Sequence, residues 1–330
     1  MRVEFLGPAH MDKIYRAPLA ALADEGYDVV RRHGANEEIA QAVAAETDVL
    51  VAFGGVAVGR DVLARLPNLR ALISPVTGTE NFDEPAATGL EIVVANGQIP
   101  ENYTSMAEAA IMLVLASLYD LHGAETILRE GRPRPDVLKA RMLTGKTIGL
   151  VGFGQIARAM ADRLQAWGCR IVASVRTPRP LPPGVMPSPL TSLLRESDVV
   201  VVLASLNAET RGLLGREQLS LMKDEVVFVN VARGGIVDEQ ALAELALARP
   251  QMRIAVDVFE RLPLPADHPL RRAPNAILTP HMIGHTRETH DRLPVVLLDS
   301  IRRALAGMPP EFVRNPEVLP RWTARWGQPR

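Results

Sequence analysis

Short apolar runs alternate with amphipathic stretches along most of this chain, which is the pattern of β-strands separated by helices. In the N-terminal part the apolar runs predict strands at residues 2–6, 27–31, 47–53, 69–74 and 90–95. Helical periodicity lies between them, at residues 11–25, 36–45, 59–66 and 83–88. Strands that alternate with helices predict a parallel sheet that is covered on both faces.

A second series of the same kind begins at Lys146. Its predicted strands lie at residues 147–151, 170–175, 198–203, 225–231, 253–258 and 276–279. Its predicted helices lie at residues 216–222 and 239–247. The fold class is therefore α/β, with two doubly wound parallel sheets.

Two long helices are predicted to connect the series, at residues 102–121 and 288–305. The compositions of residues 131–135 and of the proline-rich 177–189 indicate loops. Residues 320–330, which carry Trp322 and Trp326 among charges, are expected to form a surface tail.

The turn after the strand at 147–151 is the strongest local signal in the sequence. It has the spacing G-x-G-x-x-A, in Gly152-Phe153-Gly154-Gln155-Ile156-Ala157, between a strand and a helix. In this spacing the first glycine allows a tight turn and the second lets the backbone approach a pyrophosphate, while the small last residue lets helix and strand pack closely. The turn therefore predicts a site for a dinucleotide at a helix N-terminus.

Composition narrows the classes of function. The 330 residues suffice for two domains, and 37 basic against 38 acidic residues make nucleic acid or an anionic membrane an unexpected partner. The single cysteine, Cys169, suits a reducing cytoplasm, and no run has the length of a membrane span. The seven histidines do not cluster at ligand spacing, so no metal site is expected.

Motifs along nearly the full length resemble those of the D-isomer-specific 2-hydroxyacid dehydrogenases, in particular glyoxylate and hydroxypyruvate reductases. They occur in the family's order, at residues 78–83, 105–108, 145–157, 207–213, 229–238, 257–260, 267–270 and 279–281. The resemblance implies a flavodoxin-like substrate domain of residues 1–101 plus 285–330 and a Rossmann NAD(P)-binding domain of residues 102–284. It also implies a cleft between them, a hinge near Asn102 and Gly284, and a homodimer.

The same resemblance assigns roles to residues. Arg233 and His281 match the catalytic pair of the family, in which the arginine holds the substrate carboxylate and the histidine exchanges a proton with the substrate oxygen. The backbone amides of the loop Val76, Thr77 and Gly78 would also hold that carboxylate.

The remaining assignments concern the nicotinamide cofactor. Asp257 would receive the carboxamide group of its ring. The other predicted cofactor contacts are Met106, Gly152, Phe153, Gly154, Gln155 and Ile156.

One departure from the family concerns the partner of the histidine. Leu262 occupies the position of the glutamate that usually bonds it. Three explanations stay open: Glu260, Asp267 or Glu288 substitutes for the glutamate, His281 works unpaired and more slowly, or the substrate needs less proton transfer. We expect activity with an altered pH dependence.

A second departure concerns the choice of cofactor. The second strand of an NAD-specific domain usually ends in an aspartate that bonds the adenosine ribose, whereas here that position is near Val175. Ser174, Arg176, Thr177 and Arg179 instead offer hydroxyl and guanidinium groups to a 2′-phosphate. NADP(H) is therefore expected to be preferred over NAD.

The sequence leaves the function open among three hypotheses. The first is a reductase of a small 2-oxo acid such as glyoxylate or hydroxypyruvate. The second is a dehydrogenase of another small anion, such as formate or phosphite. The third is a nucleotide-sensing binding protein, which the missing glutamate favours and the retained Arg233 and His281 oppose.

Overall fold

The computed structural model describes residues 1–34, 37–137 and 139–327 of the chain. These residues fold into two compact units. Unit 1 comprises Met1–Glu101 and Thr286–Arg330, and unit 2 comprises Asn102–His285.

Unit 1 contains a five-stranded parallel sheet. Its strands are β1 (Arg2–Gly7), β2 (Asp28–His33), β3 (Thr47–Ala52), β4 (Ala71–Ile73) and β5 (Val93–Ala95). Its helices are α1 (Asp12–Asp24), α2 (Glu38–Gln41), α3 (Arg60–Leu63), α4 (Glu84–Gly89), α11 (Arg287–Leu305) and α12 (Leu319–Trp326). The strand order β2-β1-β3-β4-β5 is that of a flavodoxin-like sheet and confirms the predicted architecture. Of the helix predicted at 36–45, residue 36 lies outside the described residues, and α2 is shorter than predicted.

The prediction of a surface tail at the C-terminus was wrong for the described residues up to 327. Helix α12 packs its Trp322 into the core of unit 1, where the side chain is 0% exposed. The Trp322 Nε1–H donates to the Arg70 carbonyl at 2.7 Å, and the Arg70 guanidinium lies 4.8 Å from the Trp326 ring centroid. Val318, Trp322 and Trp326 are four residues apart, so they share one helix face while the charged residues lie on the other. Residues 328–330 lie outside the described part of the chain.

Unit 2 contains a seven-stranded parallel sheet in the order β12-β11-β10-β9-β6-β7-β8. The strands are β6 (Thr147–Val151), β7 (Arg170–Ser174), β8 (Val185–Pro187), β9 (Val199–Val202), β10 (Val227–Asn230), β11 (Arg253–Val256) and β12 (Ala276–Leu278). The helices are α5 (Pro100–Leu118), α6 (Leu121–Arg129), α7 (Gln155–Leu164), α8 (Leu190–Glu196), α9 (Arg216–Ser220) and α10 (Glu239–Ala248). The order reverses at β6, as in a Rossmann dinucleotide domain, so this part of the fold prediction is also confirmed.

Three elements of unit 2 were not predicted. Strand β8 lies within the proline-rich stretch 177–189, at the edge of the sheet, where a proline does not interrupt a hydrogen-bonded ladder on both sides. Helix α8 follows that stretch directly. The predicted helix at 102–121 ends at Leu118, and Asp120, with a left-handed φ of 50°, redirects the chain into α6.

The strands of the second sheet carry apolar residues on both faces, as is typical of a parallel sheet. Val199 and Val201 pack with residues of α5 and α7, while Val200 and Val202 join a separate cluster with residues of α8 to α10. A sheet buried on both faces requires this nearly continuous apolar composition. Among the described residues no single helix is long and apolar enough to cross a membrane. Helices α5 and α6 have that length and composition only when taken together, and the chain bends by 59° between them.

Candidate functional site

The strand order of unit 2 places three predicted site residues along one edge of the sheet. Arg233 follows β10, Asp257 follows β11 and His281 follows β12, and these three parallel strands are neighbours. Because adjacent strands lie about 4.8 Å apart, the strands that lead to Arg233 and His281 are separated by roughly 10 Å. Side chains from the outer two strands can therefore reach one small ligand at this edge.

Arg233 is held by a tight arrangement at the end of β10. Buried Asn230 accepts a hydrogen bond from the Ala232 N–H at 3.2 Å and donates to the Arg233 carbonyl at 3.4 Å. The next residue, Gly234, packs so closely on the backbone of Phe259 and Glu260 that a Cβ would overlap it. The backbone before and after Arg233 is thus fixed, while its guanidinium donates to the Ala232 carbonyl at 2.7 Å.

His281 lies in a turn with an unusual backbone. Its φ is 55°, a left-handed value that is uncommon for a residue with a Cβ. Its N–H donates to the Asp257 carbonyl at 2.7 Å. The Asp257 carboxylate, 1% exposed, accepts the Thr279 hydroxyl at 2.6 Å and the N–H of Met282 at 3.1 Å. Strand β11 therefore holds the turn that carries the histidine.

The glycine turn after β6 shows which of its glycines the fold requires. Gly152 has a φ of 93°, and a Cβ there would lie 2.7 Å from the Ala204 backbone. Gly154 has an extended backbone, and nothing lies within 4 Å of where its Cβ would be. Gly154 is also the N-cap of α7, with no side chain capping the first helical turn. This open space beside a helix N-terminus fits a pyrophosphate, as the sequence predicted.

The loop after β7 carries the residues predicted to bind a 2′-phosphate. Ser174 ends the strand, and Arg176 and Thr177 follow on the surface. The Arg176 guanidinium pairs with the carboxylate of Glu209, and both side chains are about two-thirds exposed, at 68% and 64%. Arg179 donates to the carbonyl of Phe153 in the glycine turn. Arg179 of this loop thus lies beside the predicted dinucleotide site, while Arg176 is paired on the surface.

Two predicted cofactor contacts, buried Phe153 and partly buried Met106, pack with the core of unit 2. Phe153 is buried with 4% exposure, and Gln155 and Ile156 begin α7. Met106 on α5 packs its sulfur against Gly284, where a Cβ would overlap it. The neighbouring Ser105 hydroxyl donates to the Gly284 carbonyl at 2.7 Å. Helix α5 therefore supports the segment that follows His281.

The predicted substrate loop belongs to unit 1. Its three carbonyl groups are each bound by an internal donor: that of Val76 by the Gly97 N–H at 2.9 Å, that of Thr77 by the Asn96 side chain at 2.8 Å and that of Gly78 by the Ser74 hydroxyl at 2.7 Å. These bonds fix the orientation of the peptide planes. An ordered loop of this kind suits the predicted use of its amides.

A groove of about 510 Å³ in unit 2 lies beside the segments that follow β10 and β11. Its lining residues are Arg211, Gly212, Gly235, Val237, Asp238, Glu239, Gln240, Glu260, Arg261, Leu264, Pro265 and His268.

The side chains of Glu239 and His268 meet in this groove, with 3.5 Å between Oε2 and Nε2. Burial raises the pKa of Glu239 despite the hydrogen bond from the Glu260 N–H, and burial lowers the pKa of His268. Both shifts favour the uncharged forms. Leu262, at the position of the family's glutamate, is 43% exposed.

Sequence reasoning missed several pairings that organise the site. Thr279 bonds Asp257 across 22 positions, Glu209 pairs with Arg176 across 33, and Arg179 reaches Phe153 across 26. Thr279 ends a predicted strand, Glu209 lies within the motif at residues 207–213, and Arg179 lies in the loop that follows the second strand of the domain. That position at the carboxyl edge of the sheet was the available signal, but only the fold supplies their partners.

Fold and site together define an α/β protein with the strand order and glycine turn of a dinucleotide-binding enzyme. Residues 111–283 match the family model described as "D-isomer specific 2-hydroxyacid dehydrogenase, NAD binding domain". The chain belongs to the D-isomer specific 2-hydroxyacid dehydrogenase family, which confirms the resemblance found in its motifs.

Three relatives illustrate the range of that family. D-3-phosphoglycerate dehydrogenase of Mycobacterium tuberculosis is 34% identical over 305 residues, which are 92% of this chain and 57% of that protein. The chain thus spans little more than half the length of that relative. Hydroxypyruvate reductase of Thermotoga maritima is 33% identical over 286 residues, 85% of this chain and 92% of that protein. The solved structure of the TT0316 protein from Thermus thermophilus is 30% identical, with a TM-score of 0.81 over 95% of this chain and 100% of that one.

Proposed function

We propose that the protein is an NAD(P)-dependent oxidoreductase that reversibly transfers hydride between NADPH and C2 of a small 2-oxo acid. The product of reduction is the D-2-hydroxy acid, and the substrate is of the glyoxylate or hydroxypyruvate type. The observation that carries this proposal is the placement of Arg233 and His281 after β10 and β12, on the same sheet as the glycine turn. Unit 1 serves as the substrate-binding domain and unit 2 as the dinucleotide-binding domain.

The residues of the chain supply binding and proton transfer. The Arg233 guanidinium holds the substrate carboxylate through paired N–H groups and favours negative charge on the substrate oxygen. His281 gives a proton to that oxygen in reduction and takes it back in oxidation. The nicotinamide supplies or accepts the hydride when it is bound. Val76, Thr77 and Gly78 are proposed to bind the substrate carboxylate through their amides.

A dinucleotide is proposed to run along the carboxyl edge of the sheet in unit 2. Its pyrophosphate contacts Gly152, Phe153, Gly154, Gln155 and Ile156, where α7 begins. The nicotinamide end lies toward β10, β11 and β12, with Met106 beside it and the carboxamide on Asp257. This direction follows from the order of the strands, in which β6 separates β7 from the strands that carry Arg233 and His281.

NADP(H) is proposed as the preferred cofactor. Ser174 ends the second strand of the domain and Arg176 and Thr177 follow it, where the adenosine ribose binds in such domains. Arg179 of the same loop donates to the Phe153 carbonyl in the glycine turn. A guanidinium gives charge-assisted hydrogen bonds to a phosphate, whereas an aspartate would repel it. Dissociation constants for NADPH and NADH, measured by nucleotide fluorescence, test this preference, and equal values contradict it.

A homodimer is proposed through α5 and α6. Six large apolar side chains between residues 112 and 142 are about half exposed or more: Met112, Tyr119, Leu121, Leu128, Val137 and Met142. Helix α6 buries none of its residues. A concentration of exposed apolar surface marks an interaction site. Light scattering should give the mass of a dimer, and Leu128→Arg should give a monomer.

Oxidation of NADPH in the presence of a panel of 2-oxo acids tests the proposed activity. Turnover of one or more acids supports the reductase. Turnover of formate or phosphite, in the direction of cofactor reduction, supports the second enzyme hypothesis. Tight binding of NADPH with no turnover supports the sensor, the alternative that Leu262 favours.

A further inference from the structure

The turn from Thr279 to Ile283 is the most tightly bonded segment at the carboxyl edge of unit 2. Three donors converge on Oδ1 of Asp257: the Thr279 hydroxyl at 2.6 Å, the Met282 N–H at 3.1 Å and the Ile283 N–H at 3.3 Å. The carbonyl of the same aspartate accepts the His281 N–H at 2.7 Å. Asp257, which directly follows β11, therefore accepts hydrogen bonds from four residues of the turn.

The backbone of His281 explains why so many bonds are needed. A left-handed φ in a residue with a Cβ persists only where the surroundings impose it. The bonds from Asp257 lie on both sides of His281 in sequence, at Thr279 and at Met282 and Ile283. The His281 N–H and the Met282 N–H, both donated to Asp257, fix the peptide planes before and after His281, and with them the direction in which its Cβ leaves the backbone.

Burial makes Asp257 suited to this task. Its side chain is 1% exposed, and a carboxylate removed from water needs hydrogen bonds to be stable. Bonds to a charged acceptor are about twice as strong as neutral ones. The aspartate and the turn therefore stabilise each other.

We propose that Asp257 and Thr279 are positioning residues for His281, acting through the backbone of the turn. The inference rests on the proposed function of His281 and extends it. In this chain Leu262 occupies the position of the carboxylate that orients the imidazole elsewhere in the family, and a leucine offers no hydrogen bond to it. Asp257 acts on the same residue through its backbone, by accepting the His281 N–H.

This role differs from the proposed contact between Asp257 and the nicotinamide carboxamide, and the two are compatible. A carboxylate has two oxygen atoms with about four acceptor sites. The bonds to the turn use Oδ1, so a carboxamide could still be met by Oδ2. Thr279 separates the roles, because it belongs to the turn and has no proposed contact with the cofactor.

Amide hydrogen exchange tests the bonds without any need for activity. In Asp257→Ala the Met282 and Ile283 amides should exchange at least about tenfold faster than in the wild type, and in Asp257→Asn, which retains an acceptor oxygen, they should stay largely protected. Protected amides in Asp257→Ala would overturn the proposal. Asp198→Asn is the matched control, since Asp198 accepts the Thr147 N–H at 2.8 Å at the opposite edge of the same sheet.

Steady-state kinetics and NADPH binding test the consequence for His281. Thr279→Val should lower kcat about five- to tenfold, the effect of one lost hydrogen bond, with the dissociation constant of NADPH unchanged within about twofold. Thr279→Ser restores the hydroxyl and should restore kcat. Asp257→Ala should lower kcat about 100-fold, because a displacement of about 1 Å at a reacting group has that size of effect.

Each outcome decides one question. A normal kcat in Thr279→Val, or a low kcat in Thr279→Ser, overturns the positioning role. Loss of NADPH affinity in Asp257→Ala with kcat retained at saturating cofactor assigns the residue to the carboxamide alone and also overturns it. If the wild type turns over no acid, the proposed function fails, while the exchange rates still report whether Asp257 holds the turn.

Discussion

Two loops at the carboxyl edge of the second unit are built in opposite ways. The turn that carries His281 is held by buried Asp257, which accepts hydrogen bonds of 2.6 to 3.3 Å from the turn. The loop that carries Arg176 is held by a surface ion pair with Glu209, in which both partners are about two-thirds exposed. Both loops follow parallel strands of one sheet and both are proposed to contact the same cofactor or its substrate.

The difference corresponds to what each loop must do. Proton transfer needs a group placed to within a fraction of an ångström, which a buried network provides. Discrimination between NADPH and NADH needs only a positive charge near the 2′-phosphate. Because the ion pair of Arg176 with Glu209 is solvated, it costs little free energy to break. Substitutions in the first loop should therefore change kcat, whereas substitutions in the second should change the affinity ratio of the two cofactors.

The largest effect is expected for His281→Asn. Asparagine tolerates a left-handed backbone, so the turn should stay folded while the proton donor is lost. Since general acid catalysis contributes about 10²- to 10⁴-fold, kcat should fall about 1,000-fold with the affinity for NADPH retained. His122→Gln, on exposed α6, is the control. A variant with near-normal kcat would remove His281 from the mechanism.

Arg176→Ala is expected to have the next largest effect. Loss of a charged hydrogen-bond donor to a phosphate should weaken NADPH binding about 10- to 100-fold and leave NADH binding within about twofold. Arg170→Ala removes the arginine of another exposed ion pair, with Glu196, at the opposite end of the same strand, and should change neither affinity. An equal loss of both cofactors would show that the arginine does not read the 2′-phosphate.

Leu262→Glu should sharpen the comparison by placing a carboxylate at the position from which the family's glutamate bonds the histidine. A neighbouring carboxylate favours the protonated imidazole, so reduction should extend to higher pH and kcat should rise about three- to tenfold. Leu262→Gln offers the same shape without the charge. An unchanged rate and pH profile for the glutamate variant would contradict the alignment that places residue 262 beside the histidine.

The smallest effect is expected for Glu209→Gln. Removing the carboxylate that now holds Arg176 should improve NADPH affinity about two- to fivefold, the strength of an exposed ion pair, and leave NADH affinity unchanged. Titration of both nucleotides by fluorescence measures this ratio. A weaker affinity for NADH would instead mean that Glu209 bonds the adenosine ribose.

The elements that could be predicted from the sequence are those whose signal is local. Strand β6 was predicted to the residue, because four apolar or small residues lead into a glycine that must turn. Strand β8 was missed, because Pro187 lies within it and its only neighbour is β7. Trp322 was taken for a surface residue, because its partner Arg70 is 252 positions away.

The candidate site divides in the same way. The glycine turn was predicted from its spacing between a strand and a helix, and Arg233 and His281 were assigned from the resemblance of their motifs to those of the family. The bond from Thr279 to Asp257 depends on the pairing of β11 with β12. The ion pair of Arg176 with Glu209 depends on the loops that follow β7 and β9, the two strands on either side of β6. Motifs therefore predicted which residues act, and only the fold showed which residues hold them.

The burial of Trp322 has a consequence for how the chain is made. The core of the first unit joins Phe5 of β1 with Leu297 of α11 and Trp322 of α12, so its two parts are separated by the whole of the second unit. Domains generally fold as they leave the ribosome, the earliest first. In this chain we expect the opposite order: unit 2 can fold before unit 1, whose core is incomplete until α12 has been translated.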